Sequence, residues 1–308
     1  MRKTILPLVI AIIACLRFAV WADDGAEERS IPPRFDSTSQ DRVLLRYKYI
    51  PGHRTVIEVE IDMSISIEAA GPKMAIEMPM KLGCYYTVKS VDGNGDATAE
   101  MVITKMALSV TSPQGDMTYD SDRDDGSDPK FGSLKAMMNV PIPVKVSTLG
   151  KVLEMDVQPM EEAIKRSGAA ALNLGDTTDK IVKSTFVMLP EGPVRASDTY
   201  DAGEIVQQLQ NMGEMTSKVK YEVLSISSDG TKALLKPRGE FSLDPTAGGE
   251  VNLKLDSFKL DGWILFNIAD GDIERSYGDI EASILVTQNE QSMNFSVNTR
   301  VFNDQVSE

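Results

Sequence analysis

Sixteen methionines beside one histidine and two cysteines narrow the chemistry that this chain's side chains can do. Met63, Met74, Met78 and Met80, with Ile76, fall on the apolar faces of two neighbouring alternating segments. Thioethers bind copper(I), and Met78-Pro79-Met80 has a spacing that such a site could use, but the chain lacks the His or Cys cluster that normally completes one. The commoner role for such residues is to fill a core. The third is to line an adaptable apolar cavity, because a flexible, polarizable side chain suits irregular ligands. Met63, Met74, Ile76, Met78 and Met80 are therefore the candidate ligand-binding residues.

Carboxylates form the second concentration. Asp120, Asp122, Asp124, Asp125 and Asp128 alternate as in a calcium loop, but Gly126 stands at the seventh position instead of the sixth, and Phe131 occupies the place of the bidentate Glu. The expectation is a solvated loop in which Asp120, Asp122 and Asp124 are candidate metal ligands of low affinity. Asp92, Asn94 and Asp96 share the spacing, and a hairpin turn already accounts for them. Nucleophilic and acid–base chemistry finds little support. His53 sits in the turn Pro51-Gly52-His53-Arg54 with no motif around it, and Cys84 lies on the inward face of a strand, where a thiol is inert. There is no Gly-rich phosphate loop, nucleophile elbow or metal-ligand pair, and the abundant carboxylates single out no glycosidase pair. No enzyme, no catalytic residue and no cofactor is expected.

Those residues belong to a chain of 308, with 32 Lys plus Arg against 46 Asp plus Glu and a formal charge of −14. That length makes one large domain or two modest ones. The acidity argues against nucleic acid as a partner, because such binding is dominated by neutralising phosphates. Arg2 and Lys3, the apolar run Thr4 to Ala14 and the small residues of Val20-Trp21-Ala22 read as a signal peptide over 1–22, with the mature chain starting at Asp23. An exported protein, periplasmic or extracellular, follows. Ile12-Ile13-Ala14-Cys15 also matches a lipobox, which would make Cys15 a lipidated first residue in an envelope-anchored form. The apolar residues that continue past Cys15 favour the first reading. No later run approaches the 20 or so residues of a membrane-spanning helix, so the mature chain is expected to have no transmembrane span. Cys84 alone cannot form an internal disulfide.

Residues 23–42 are polar and contain Pro32-Pro33, and they read as a flexible lead-in. A single β-rich domain is expected over 43–303. Its N-terminal β half covers 43–156, its central helices 157–190 and its C-terminal β half 191–303. From Val56 to Glu68 the alternation is strict, which marks a long half-buried antiparallel strand. A second strand follows Ala70-Gly71-Pro72, and Asp92 to Asp96 turn the chain into a third. Residues 115–133 read as a loop. Pro159 suits a first helical position ahead of Met160, Ala163 and Ile164, and Asp176 can cap a second helix carrying Ile181, Val182 and Phe186. Strands return near 204–210, 217–227, 231–243, 249–260, 262–268, 280–287 and 292–302, separated by Gly-containing turns that include Asp261-Gly262 and Gly278-Asp279. The order is α+β, mainly antiparallel β, with a large curved sheet or half-barrel and central helices.

Several short motifs carry a resemblance: Leu44-Leu45-Arg46-Tyr47-Lys48-Tyr49 before Pro51-Gly52, the Val88 to Ala97 hairpin, Tyr119-Asp120-Ser121-Asp122, Pro143-Val144-Lys145-Val146 leading to Gly150-Lys151-Val152, and Ser197-Asp198-Thr199-Tyr200. They resemble a family of exported, planctomycete-type bacterial proteins built on a domain of unknown function, over most of residues 43 to 302. Members often have Gly-Asp-Thr-Trp where this chain has Ser197 to Tyr200, and no motif is catalytic. The plan is also similar in architecture to the half-barrels that carry lipoproteins or lipids across the periplasm. The resemblance implies no activity. The functional expectation is an exported non-enzymatic protein that binds an apolar or amphiphilic ligand on the concave face of its sheet. The alternative is a cell-envelope interaction or scaffold module without a small-molecule ligand, its protein partner unidentified.

Overall fold

The structure, a computed structural model, describes residues 29–69, 73–113, 115–124, 128, 131–167, 182, 185–208, 213–245, 251–288 and 291–307. The strands are β1 Arg54–Glu68, β2 Met74–Val91, β3 Ala97–Val110, β4 Met117–Asp120, β5 Ile142–Val146, β6 Val152–Met155, β7 Thr199–Gln208, β8 Gly213–Ile226, β9 Lys232–Pro245, β10 Val251–Asn267, β11 Asp272–Gln288 and β12 Gln291–Ser307. Among the described residues two short helices, α1 Gly132–Met137 and α2 Gln158–Arg166, lie between β4 and β7.

All strands join one antiparallel sheet in the order β6-β5-β3-β2-β1-β12-β11-β10-β9-β8-β7, with β4 paired beside β3. The two β halves therefore meet in mid-sheet, where β1 pairs with β12 from Thr55↔Ser307 to Glu68↔Asn294. Bulges between Gly83 and Cys84, Val88 and Ser90, and Leu255 and Ser257 bend the strands. The sheet curls so far that Met106 of β3 and Ala202 of β7 face the same cavity. On β1 the concave residues are Ile57, Val59, Ile61, Met63, Ile65 and Ile67, as the strict alternation predicts.

Between α2 and β7, the described residues Thr185 to Met188 cross the concave face and line its cavity. α2 starts as the sequence predicts, with Pro159 in its first turn and Met160 and Ile164 buried. The second helix expected after Asp176 lies largely outside the described residues. Of that stretch Val182, Thr185 and Phe186 are described, and all three are buried. Phe186 meets Tyr47 edge-on at 5.9 Å and Tyr86 at 5.4 Å, so one end of the curl is packed solid.

Three strand readings change. The predicted strands 249–260 and 262–268 are one strand, β10, and β11 begins at Asp272 instead of near 280. Asp261-Gly262 and Gly278-Asp279 are not turns: the two glycines face each other across the β10–β11 ladder. The backbones approach so closely there that a Cβ on Gly262 would run into the Tyr277 carbonyl. Within the expected loop 115–133, β4 pairs with β3 and α1 begins at Gly132. The described part of the lead-in, from Arg29, lies along the convex face. Trp263 Nε1 donates to Ser30 O at 3.2 Å, Arg29 pairs with Glu60 at 2.9 Å and sits 4.6 Å over the Phe302 ring, and Thr38 bridges to Ser227.

One ladder is incomplete. β10 pairs with β11 from Val251 to Asn267, but with β9 only from Ile264 to Asn267. Pro237, two residues past the last paired residue of β9, has no N–H to offer, and such a residue belongs at a sheet edge.

Candidate functional site

β1 is tightly packed at both ends and loose in the middle. Ile57 on one side and Met63, Ile65 and Ile67 on the other are buried, whereas Val59 and Ile61 between them are partly open. They open onto a partly open cavity of about 220 Å³ within the curl. Val59, Ile61, Met80 and Leu82 form one wall, Leu260, Ile264 and Val301 the other, and Phe186 and Val187 of the crossing segment close one side. The space has a sequence origin. Gly262 and Gly278 sit opposite each other on the concave face, so two adjoining strands present no side chain at the same level.

The lining is apolar with a few polar points. Asn303, on the concave face opposite Val59, lines the cavity, and its buried Oδ1 has no hydrogen-bond partner among the described residues. Ser217 Oγ and Thr299 Oγ1, both almost fully buried on the same face, are also without partners there. Leaving a buried polar atom unpaired costs about 1–3 kcal/mol, and of these three atoms only Asn303 Oδ1 belongs to a residue that lines the cavity.

Below the cavity, Asp272 is buried under β2. Tyr86 Oη donates to its Oδ2 at 3.0 Å, Thr55 Oγ1 donates to the same atom at 3.2 Å, and the Ile273 amide donates to Oδ1 at 2.8 Å. Burial pushes this carboxyl above the usual range, while the hydrogen bonds from Tyr86, Ile273 and Thr55 pull the other way. The Tyr86 hydroxyl is pushed well up by burial first and by Asp272 second. The Val187 amide donates to Tyr47 Oη at 2.9 Å, tying the crossing segment to the same end. Burial pushes the Cys84 thiol, which faces the cavity, up to about 12, so it stays protonated near neutrality.

The structure puts every candidate residue of the methionine face on the concave side, in cross-strand rows Ile61↔Met80, Met63↔Met78, Ile65↔Ile76 and Ile67↔Met74. Only Met80 reaches the cavity. Met63 is buried, and Met74, Ile76 and Met78 are half-buried in a second cluster with Met215, Leu253, Met293 and Phe295. Asp120, Asp122 and Asp124 form a turn that uses its own carboxylates. The Asp122 amide donates to Asp120 Oδ1 at 3.0 Å, the Asp120 amide donates to Asp124 Oδ2 at 2.6 Å, and Arg123 pairs with Asp120 at 3.2 Å. Among the described residues no group of three or more His, Cys, Asp or Glu side chains is placed to hold a metal ion. Asp125 and Gly126 lie outside those residues, as does Cys15. His53 follows the turn at Gly52, whose φ is +84°. The lining residues of the C-terminal half, Leu260, Ile264, Gly278, Val301 and Asn303, were not singled out by sequence; the signal for them was the glycine pair within an otherwise apolar stretch.

No family model and no curated protein matches the chain. Among solved structures it is similar to lipovitellin, described for its lipid–protein interactions, with a TM-score of 0.47 and 11% identity over 84% of this chain and 25% of that one. It is also similar to a DUF1329 family protein from Desulfovibrio piger, with a TM-score of 0.16 and 7% identity over 79% of this chain and 84% of that one. A third similarity is to an outer membrane lipoprotein-sorting protein domain from Vibrio parahaemolyticus, with a TM-score of 0.13 and 7% identity over 82% of this chain and 85% of that one. The class of protein defined by the chain's own geometry is a large, open, mainly antiparallel β-sheet curled around an apolar cavity. Among the described residues no helix is long and apolar enough to cross a membrane.

Proposed function

We propose that this protein binds an apolar or amphiphilic small molecule inside its curled sheet and does not transform it. The observation that carries the reading is the cavity itself. It lies where β1 loosens and where Gly262 and Gly278 withdraw side chains, and its lining is mainly apolar, with Asn303, Ser276 and Thr185 as polar points. A well-packed protein of this size has no need of such a space. A volume of 220 Å³ takes a ring or a length of alkyl chain, not a whole two-chain lipid. Binding in preference to catalysis is supported by a protonated, buried Cys84 and by carboxylates engaged in turns. Export, in a periplasmic or extracellular setting, rests on the reading of the first 22 residues.

The test is titration of the purified protein with environment-sensitive fluorescent probes, one a fatty acid and one a compact aromatic. Saturable one-site binding is expected, weakened at least about tenfold by Val301→Trp, which fills the cavity. A parent protein that binds neither probe would overturn the reading and leave the ligand-free envelope module as the better account.

A further inference from the structure

Two carboxamides stand two residues apart on the concave face of β12, and the protein satisfies only one of them. Gln305, paired with Ile57 at the packed end, donates to Asp272 Oδ1 at 3.0 Å and to Ile273 O at 3.1 Å once its carboxamide is turned to suit both neighbours. Asn303, one row nearer the middle of the sheet, stands opposite Val59 of β1 and Ser276 of β11, and all three line the cavity. Its Oδ1 is enclosed without a hydrogen-bond partner among the described residues, and its Nδ2 has no partner there either but is not enclosed. A leucine of similar shape would avoid that cost, so an unpaired amide in an apolar wall points to a partner that the protein itself does not supply. The next row, Ile61↔Met80, is apolar. The polar point therefore lies on the side of the packed end, and the apolar walls extend away from it. Charge is absent. No Lys, Arg, His, Asp or Glu is among the described residues that line the cavity, and the Cys84 thiol there stays protonated.

We propose that the guest is a neutral, mainly apolar molecule with one hydroxyl or carbonyl oxygen, held at that oxygen by the Asn303 carboxamide, its apolar body lying against Val59, Ile61, Met80 and Val301. This rests on the ligand-binding reading of the cavity and adds the charge and the polar group of the guest. A carboxamide suits either kind of oxygen. Nδ2 donates to a carbonyl or hydroxyl oxygen, and turning the group over presents Oδ1 to a hydroxyl hydrogen. An ionised guest is disfavoured, because it would lose its hydration without meeting a counter-charge, whereas a neutral oxygen that finds a hydrogen bond loses little. A fatty acid can enter only with its chain end first, leaving its carboxylate in solvent and Asn303 unpaired.

The experiment compares three fluorescent probes of one shape, naphthol, methylnaphthalene and the naphthoate anion, titrated at neutral pH into the parent protein and into Asn303→Leu, with folding of the variant checked by circular dichroism. The parent should bind naphthol at least about tenfold more tightly than methylnaphthalene, and naphthoate more weakly than either. In Asn303→Leu the preference for naphthol should disappear while methylnaphthalene binds at least as well as before. The probe order in the parent needs no variant, so a variant that fails to fold leaves the proposal open to refutation. Equal affinity of the parent for naphthol and methylnaphthalene, or naphthoate binding as tightly as naphthol, would overturn the proposal and leave the cavity reading intact. A naphthol preference that survives in folded Asn303→Leu would also overturn it, since the oxygen would then be held elsewhere. A parent protein that binds none of the three would remove the cavity reading as well.

Discussion

The two ends of the curl are built from the same materials and reach opposite results. Beneath the crossing segment, Tyr47, Tyr86 and Phe186 interlock their rings, and Asp272 is held by donors from β1, β2 and its own strand. At the seam between β9 and β10, Phe241, Phe258 and Leu260 are only partly buried, and the two strands touch through side chains while leaving most of their ladder unpaired. Apolar content does not separate these regions, since both are rich in it. What differs is whether a further element packs over the concave face. The sealed end has the segment containing Phe186, and the seam has only its own side chains.

The sharpest way to break this comparison is hydrogen exchange. Amides of β9 and β10 that point at each other should exchange at least about 10³-fold faster than those of β1 and β12, whose ladder is continuous, because local opening there needs no loss of the core. Similar protection in both would show that the seam closes in solution. Next in size, Phe186→Ala should cost about 3–5 kcal/mol in chemical denaturation through lost ring contacts and a residual cavity. Phe258→Ala, half-buried, should cost only about 1 kcal/mol. Equal losses would erase the distinction between the ends.

A pH series tests the sealed end alone. Burial raises the Asp272 pKa in the folded state, so the stability that this group contributes is fully present below its unfolded value of about 4 and is lost as pH rises through the folded value. Asp272→Asn should therefore compare worst with the parent near pH 4 and improve relative to it toward pH 7. A difference that stays constant across that range would show that the carboxyl is not desolvated. The smallest effect is expected at the seam's ion pair. Lys236→Ala should change stability by less than about 1 kcal/mol, since Asp261 is more than half exposed and water screens the pair. A larger loss would mean that Lys236 holds the two strands together.

Where side chains alternate against one face, as from Val56 to Val88, strand identity and face could be read directly, because period two leaves no other arrangement that buries Ile57 to Ile67 together. The methionine face was legible for the same reason. Its division between Met80 at the cavity and Met74 to Met78 in a separate cluster was not, since that depends on how far the sheet curls. Glycine misled where it serves close approach: Asp261-Gly262 and Gly278-Asp279 have turn composition, yet they lie inside straight strands. Pro237 was a sign of an edge within a run that otherwise reads as a central strand. Asp272, next to Asp270-Gly271, was not singled out by sequence, because its burial is set by Thr55 and Tyr86, about two hundred residues away in the chain.

The pairing of β1 with β12 at the middle of the sheet also constrains the order of events during folding. The first long strand must wait for the last one, across nearly the whole chain, before its inner edge is covered. Loop-closure entropy makes so distant a contact slow to form, and the sequence-remote ladder raises the contact order of the entire fold. Until β12 arrives, β1 exposes an unpaired edge and a row of isoleucines. A chain wired in this way stays open until its final strand is delivered.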